Sequence, residues 1–331
     1  MAPTAGKTIE TTAAVDEVLE WAGRAPSVHN TQPWAWRVHG TRIDLYADFR
    51  RQLVYADPQR RDLLISCGAA LHHLQVAAAA LGWETRVRRT PDPSEERFIA
   101  SIQLFRSHRE TEGDDTLSVI GQRITDRRRL SSWPVPADRL HALAINGNVW
   151  GAQVLPIEQG TTRAQVERLT RRADLLQKRN PRYVEEIAAW TRPTGRDGVP
   201  VSHVPERDDL EGPDALNRRF PHGDLKDPVL DPEPSEDAML LICTSSDDPI
   251  SRIRAGESLS AVWLEATRQN LSIVPLSQAL EVEETRRIMQ RDVLGDLAVA
   301  QIVLRVGWLP LSLDGLTPTP RRALDDVRIR E

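Results

Sequence analysis

Two distant stretches of this chain read alike. Gly68-x-x-Leu71-x-x-Leu74-x-x-x-Ala78 matches Gly256-x-x-Leu259-x-x-Val262-x-x-x-Ala266. In each, small and branched residues recur three or four apart, the spacing of one helical face. Each follows a polar, arginine-containing stretch, and strand-like runs occur in both halves. The repeat predicts two related halves packed about these helices, an internal pseudo-dimer. A length of 331 residues suits that division. The acidic connector Glu110 to Asp115 places the boundary, giving halves 1–112 and 113–331.

Periodicity predicts helices over 15–23, 68–83, 115–124, 161–190 and 256–271. Alternation or apolar runs predict strands over Trp36–Asp48, Phe98–Phe105, Ala238–Cys243 and Ala300–Trp308. Pro275 is expected to end any helix before it. Residues 193–235 hold eight of the 23 prolines and little periodicity, so they read as an insertion shaped like a lid.

The balance of residues is that of a folded protein, 40% hydrophobic and 27% charged. A net charge of −5 argues against a nucleic-acid binder. Two cysteines, Cys67 and Cys243, make neither a disulfide framework nor a four-ligand zinc site, and fit a reducing cytoplasm. Met1 to Ala14 has no apolar core of a signal peptide, and no run of 18 apolar residues predicts a membrane span.

There is no GxGxxG, Walker A, HExxH, CxxC or GxSxG. His72 and His73 are adjacent on a helix and are expected on different faces. No metal ligands and no catalytic residue are readable. Three stretches stand out instead. The loop Ala25-Pro-Ser-Val-His-Asn-Thr-Gln-Pro-Trp34 gathers groups that both donate and accept. It reads as the wall for a flat heteroaromatic ligand, or as an Asx-type turn bonding its own backbone. Arg123, Thr125 and Arg127 alternate, so an extended chain puts them on one face. With Arg321-Arg322 they read as a phosphate site or as a solvated charged surface; Arg128 and Arg129 are expected to matter less if they face solvent. Leu276, Ser277 and Gln278 follow Pro275 and could present backbone N–H groups.

These stretches together resemble a family. The loop Arg24 to Trp34 resembles the APS-x-x-N-x-QPW loop of FMN-dependent nitroreductases. Arg123-Ile-Thr-Asp-Arg-Arg128 resembles their opening phosphate motif, Gln269 to Glu281 their loop bordering the flavin ring, and Pro320 to Leu324 their C-terminal basic clamp. Spread over two halves with a proline-rich insertion, the arrangement resembles the tandem, Acg-type NAD(P)H nitroreductases of actinobacteria. Ile124 and Asp126 depart from the opening motif, and the first half lacks a phosphate motif of its own.

The resemblance implies an α+β nitroreductase-like fold with central antiparallel sheets wrapped by helices. It implies one FMN between the halves. Arg123, Thr125, Arg127 and Arg321 or Arg322 would meet its phosphate. Pro26, Ser27 and Val28 would face the dimethylbenzene side, with Asn30 and Gln32 shaping the loop. Backbone at Leu276 and Ser277 would lie beside N5 and O4. It also implies ping-pong chemistry, in which NAD(P)H hands hydride to N5 and leaves before a small oxidised substrate such as a nitro compound or quinone enters. The rival implication is a flavin store in which 193–235 covers the cofactor. The expected unit is a single chain acting as its own pseudo-dimer, with further dimerisation open.

Overall fold

A computed structural model of the chain describes residues 5–90, 92–107, 115–192, 194–206, 216, 218–226, 236–311 and 313–330. The first part runs α1 (Ala5–Ala22), β1 (Trp34–His39), β2 (Arg42–Ala47), α2 (Arg61–Ala80), β3 (Trp83–Arg89) and β4 (Phe98–Arg106). It continues with α3 (Thr116–Gln122), α4 (Ala137–Asn148), β5 (Gln153–Ile157), α5 (Thr161–Lys178) and α6 (Pro181–Ala189). Two short strands follow, β6 (Thr191–Arg192) and β7 (Val199–Pro200), then β8 (Ala238–Thr244) and α7 (Pro249–Arg268). The chain closes with β9 (Ser272–Leu276), α8 (Gln278–Glu281), α9 (Glu283–Leu294), β10 (Val299–Gly307) and α10 (Leu324–Val327).

The architecture is α+β. Two four-stranded antiparallel sheets have the orders β1-β2-β4-β3 and β5-β8-β10-β9. In each, the first two strands of the sheet are neighbours, a long helix follows, and the last two strands return in reversed order. The long helices are α2 and α7, which carry the two copies of the sequence repeat.

These helices cross at their glycines. A Cβ on Gly68 would stand 2.0 Å from the Ile253 carbonyl oxygen, and one on Gly256 would stand 1.9 Å from that of Ile65. Each glycine meets the carbonyl three residues before the other, so the contact is the same from either side, as a two-fold axis requires. Only glycine allows backbones this close. Both histidines beyond the crossing reach Ser260 Oγ, His72 and His73 each through Nδ1 at 2.7 Å. The expectation of different faces is corrected: a small residue on a helix this near lies within reach of both.

Other expectations are also revised. Trp36–Asp48 is not one strand but the hairpin β1–β2, turned at Gly40 with φ +60°. Strands β3 and β5 and helix α4 are further elements that the sequence reading did not include; β5 is only five residues long, and β3 is rich in arginine. Pro275 lies within β9, an edge strand, where a missing N–H is tolerated. Helix α2 has the length and apolarity of a membrane span, yet it is a core helix, packed by α1, α7 and the first sheet. The connector 108–114 lies outside the described residues.

The chain ends on the first sheet. Ile329 N donates to the Trp36 carbonyl at 2.8 Å, and Val327 joins the first core. The tail thereby covers the β1 edge, which would otherwise offer unpaired backbone groups, and draws residues 319–322 toward the loop before β1.

Candidate functional site

Residues 27–32 form a tight coil in which three non-glycine residues take positive φ, His29 at 45°, Asn30 at 53° and Gln32 at 47°. Such conformations cost about 1 kcal/mol or more each and persist only where surroundings impose them. Here the surroundings are distant in sequence. Asn30 Nδ2 donates to the carbonyls of Gly198 (3.0 Å) and Pro320 (3.1 Å), and its Oδ1 accepts from Arg321 at 3.1 Å. Gln32 Nε2 donates to Arg196 O at 2.8 Å, while its Oε1 accepts from Arg322 N at 2.8 Å. Ser27 Oγ accepts from Gln32 N, and Val28 N donates to Ser66 Oγ on α2, both at 3.0 Å. The amides therefore clamp the insertion and the tail rather than merely closing a local turn.

A cleft of about 1010 Å³, measured out to its open side, lies between this loop and the second half. Pro26, Ser27, Val28, His29, Asn30, Asp62, Ile65 and Ser66 line it from the first half. Arg123, Thr125, Arg127, Leu259, Trp263, Val274, Pro275, Ser277 and Ile302 line it from the second, with Thr319 and Arg321 from the tail. Val199, Pro200, His203, Arg218 and Phe220 close it from the insertion.

Nine of the residues singled out from sequence line this cleft: Pro26, Ser27, Val28, Asn30, Arg123, Thr125, Arg127, Ser277 and Arg321. Three stand behind it. Gln32 braces the loop. Arg322 holds the Gln32 carbonyl at 3.2 Å and the Asp326 carbonyl, so Arg321 and not Arg322 faces the cleft. The Leu276 side chain packs into the core on the other face of β9.

Alternation in 123–128 is realised. Arg123, Thr125 and Arg127 face inward, while Asp126 and Arg128 turn away and pair, with Arg128 Nη2 2.6 Å from the carboxylate. Arg128 also donates to Asp314 O at 2.8 Å and is only 5% exposed. It is therefore a buried brace and not a solvent-facing residue; its partner two positions back is what allows the burial.

The inward arginines make one end of the cleft strongly cationic. Burial, then the charge of Arg321, pulls Arg123 down to about 9; burial, then Arg24, pulls Arg321 down to about 10. Both stay charged at neutral pH. No carboxylate pairs with either among the described residues, and the Nε of each lacks a hydrogen-bond partner. Arg123 lies 4.7 Å over the Trp263 ring and Arg127 lies 5.0 Å over that of Phe220. A buried and a half-buried guanidinium, each incompletely satisfied, favour an anion beside them.

Sequence reasoning missed several groups. His29 packs edge-on to Phe220 at 5.2 Å; burial, then Arg218 and Arg127, holds it neutral. Arg218 binds Glu281 and Tyr183. Asp62 is a carboxyl inside the cleft. His29 sits at an unspecified position of the 25–34 loop; Arg218 and Asp62 belong to no motif, and long-range packing brings them here.

No family model matches the chain. Relatives do. It is 37% identical over 318 residues to a Mycobacterium tuberculosis protein named "Putative NAD(P)H nitroreductase Rv3131", an alignment covering 95% of this chain and 90% of that one. It is 29% identical over 325 residues to "Putative NAD(P)H nitroreductase acg" of the same organism, covering 97% and 96%. Among solved structures, a nitroreductase with bound FMN from Bacteroides fragilis matches 63% of this chain and 96% of its own at 12% identity and a TM-score of 0.40. A nitroreductase with bound FMN from Desulfitobacterium hafniense matches 62% and 94% at 11% identity and 0.39. On the strength of the sequence relatives, the chain belongs to the Acg-type family of NAD(P)H nitroreductases.

Proposed function

We propose that the chain is an FMN-dependent NAD(P)H oxidoreductase that reduces small nitro or quinone-like acceptors. The observation that carries this is the pair Arg123, buried, and Arg321, half-buried, with no carboxylate partner among the described residues, at one end of a cleft with aromatic and aliphatic walls. A phosphate answers the cations, and a planar ring answers Val28, Ile65, Pro275 and Phe220. The cofactors of the solved relatives with bound FMN have this form.

Bound FMN would supply the chemistry, accepting hydride from reduced nicotinamide and passing electrons to the acceptor. The protein's own parts hold and shield it. Arg123, Thr125, Arg127 and Arg321 would anchor the phosphate. The strained 27–32 coil, pinned by Asn30 and Gln32, would fix the ring edge. Trp263 stiffens Arg123, and Val199, Pro200, His203, Arg218 and Phe220 keep water out. Both halves, 1–112 and 113–331, would contribute walls, so one chain would suffice for one site.

The same cover supports a second reading, a flavin store closed to substrates, because Arg218, Phe220, Val199 and Pro200 leave part of the cleft roofed. One experiment addresses both. The purified protein is expected to release about one FMN per chain on denaturation, and to bleach on anaerobic mixing with NADH or NADPH. Arg123→Ala is expected to weaken FMN binding by roughly 1.5–3 kcal/mol, about ten- to a hundred-fold. FAD, or no flavin, would sink the cofactor assignment. One FMN that nicotinamide cannot bleach would favour the store.

A further inference from the structure

A second cavity lies behind the cleft, on the far side of the α2 N-terminus. Asp57, Arg61, Asp62, Glu281 and Arg286 border it, and exposed Pro58, Gln59 and Glu283 form its outer wall, so it reaches the surface. Asp62 borders both cavities. It is 8% exposed, and no hydrogen-bond donor meets its carboxyl among the described residues.

Three buried carboxyls therefore share a small region, and their surroundings differ. Asp57 accepts the Arg61 and Leu63 amides at 2.7 and 2.9 Å, at the start of α2 where a helix favours negative charge. Glu281 accepts from Arg218, from Ser277 Oγ at 2.6 Å and from Gln177 at 2.6 Å. Asp62 has Arg61 and Arg218 acting on it only at a distance, against Asp57 and Glu281. When like charges crowd, the group with the fewest donors keeps the proton.

We propose that Asp62 is a protonated carboxyl that delivers its proton into the cleft and regains it from solvent through the second cavity. The proposal rests on the reductase reading above. A quinone that has taken a hydride, its electron pair drawn originally from the nicotinamide, is left with one anionic oxygen. That oxygen takes the Asp62 proton; a new O–H bond forms as the carboxyl O–H breaks. The resulting carboxylate is unstable between Asp57 and Glu281 and is reprotonated by water. Burial, then Asp57 and Glu281, raises Asp62 well above the usual carboxylate range; burial also raises Asp57, to about 7, against the pull of its two amide donors.

Two measurements on the flavin-loaded protein test this. In infrared spectra at pH 7, wild type is expected to show a protonated-carboxyl band that shifts in heavy water and is absent from Asp62→Asn. An unchanged spectrum in that variant overturns the assignment. Gln59→Trp, placed in the outer wall of the second cavity, is expected to slow the shift while keeping the band; an unchanged rate overturns the rear route. In the second measurement, dithionite-reduced protein is mixed with p-benzoquinone. Reoxidation is expected to fall about a hundredfold in Asp62→Asn and to recover in Asp62→Glu, which restores the carboxyl. Equal rates in wild type and Asp62→Asn overturn delivery. Because dithionite replaces nicotinamide, a failure of NAD(P)H to bleach the flavin would count against the reductase reading alone.

Discussion

The two sheets have the same strand order and different surroundings. In β1-β2-β4-β3 the apolar core lies on one face, against α1 and α2; on the other face Asp44 and Tyr46 of β2 are buried, but β3 alternates between half-buried and open positions, with Glu84, Arg86 and Arg88 exposed. In β5-β8-β10-β9 both faces are packed, and β8 and β10 are buried along nearly their whole length. The cause lies in the connections. The first two strands of sheet one are joined by Gly40 and Thr41; those of sheet two are separated by residues 158–237. That added chain supplies α5 to the outer face, and its later part supplies Arg218 and Phe220 to the cleft. Helix α9, between β9 and β10, completes the cover. One topology thus serves as a bare platform in one half and as a buried wall of the candidate site in the other.

The largest effect is expected where the halves remain alike. Gly68→Ala and Gly256→Ala each drive a methyl into a carbonyl about 2 Å away. Neither helix can yield without parting the halves. Each substitution should cost about 3 kcal/mol or more, and the two should be alike, because the contact is reciprocal. Urea unfolding of both variants measures this. A large loss at one glycine with none at the other would break the two-fold relation.

How much of this was legible follows the range of the interactions. The repeat showed the two helices, since helical spacing is local; it did not show that its glycines are backbone contacts. Arg123, Thr125 and Arg127 were legible because an extended chain alternates. Arg128 is buried by its pairing with Asp126 and by the Asp314 carbonyl far along the chain, and a run of arginines in sequence does not show either contact. Asp62 and Arg218 carry no pattern, and long-range packing brings them to the cleft. The second sheet's apolar strands were readable; β3, half open and rich in arginine, was not.

The next effect in size belongs to the second sheet alone. Asp237 sits fully buried between Arg305, at 2.8 Å, and Arg163, at 3.0 Å. Asp237→Ala would take a buried carboxylate from Arg305 and from Arg163, which keeps Glu167 at 3.0 Å, and should cost about 3 kcal/mol. Burial by itself would raise this carboxyl, but Arg305 and Arg163 outweigh it and hold it below the ordinary carboxylate value. A depressed folded pKa contributes stability above the unfolded value, near 4, which is lost as pH falls through the folded one. Wild type should therefore lose stability below about pH 4 more steeply than Asp237→Ala. Parallel acid profiles would mean that the network does not sense this charge.

The smallest effect should come from the bare face, and it sharpens the comparison most directly. Phe105 on β4 points outward and is 42% exposed, with Arg86 5.4 Å from its ring. Leu241 on β8 points toward the outer face of the second sheet and is 1% exposed in the third core. Truncating Leu241 to Ala opens a cavity and should cost about 2–4 kcal/mol. Phe105→Ala removes surface that water already reaches, together with one exposed cation–π contact, and should cost about 0.5–1 kcal/mol. Chemical denaturation of the two variants in parallel reads the difference. Similar losses would mean that the first sheet's outer face is covered in solution by something that packs on Phe105, and the contrast between the halves would then lie in what covers them and not in whether they are covered.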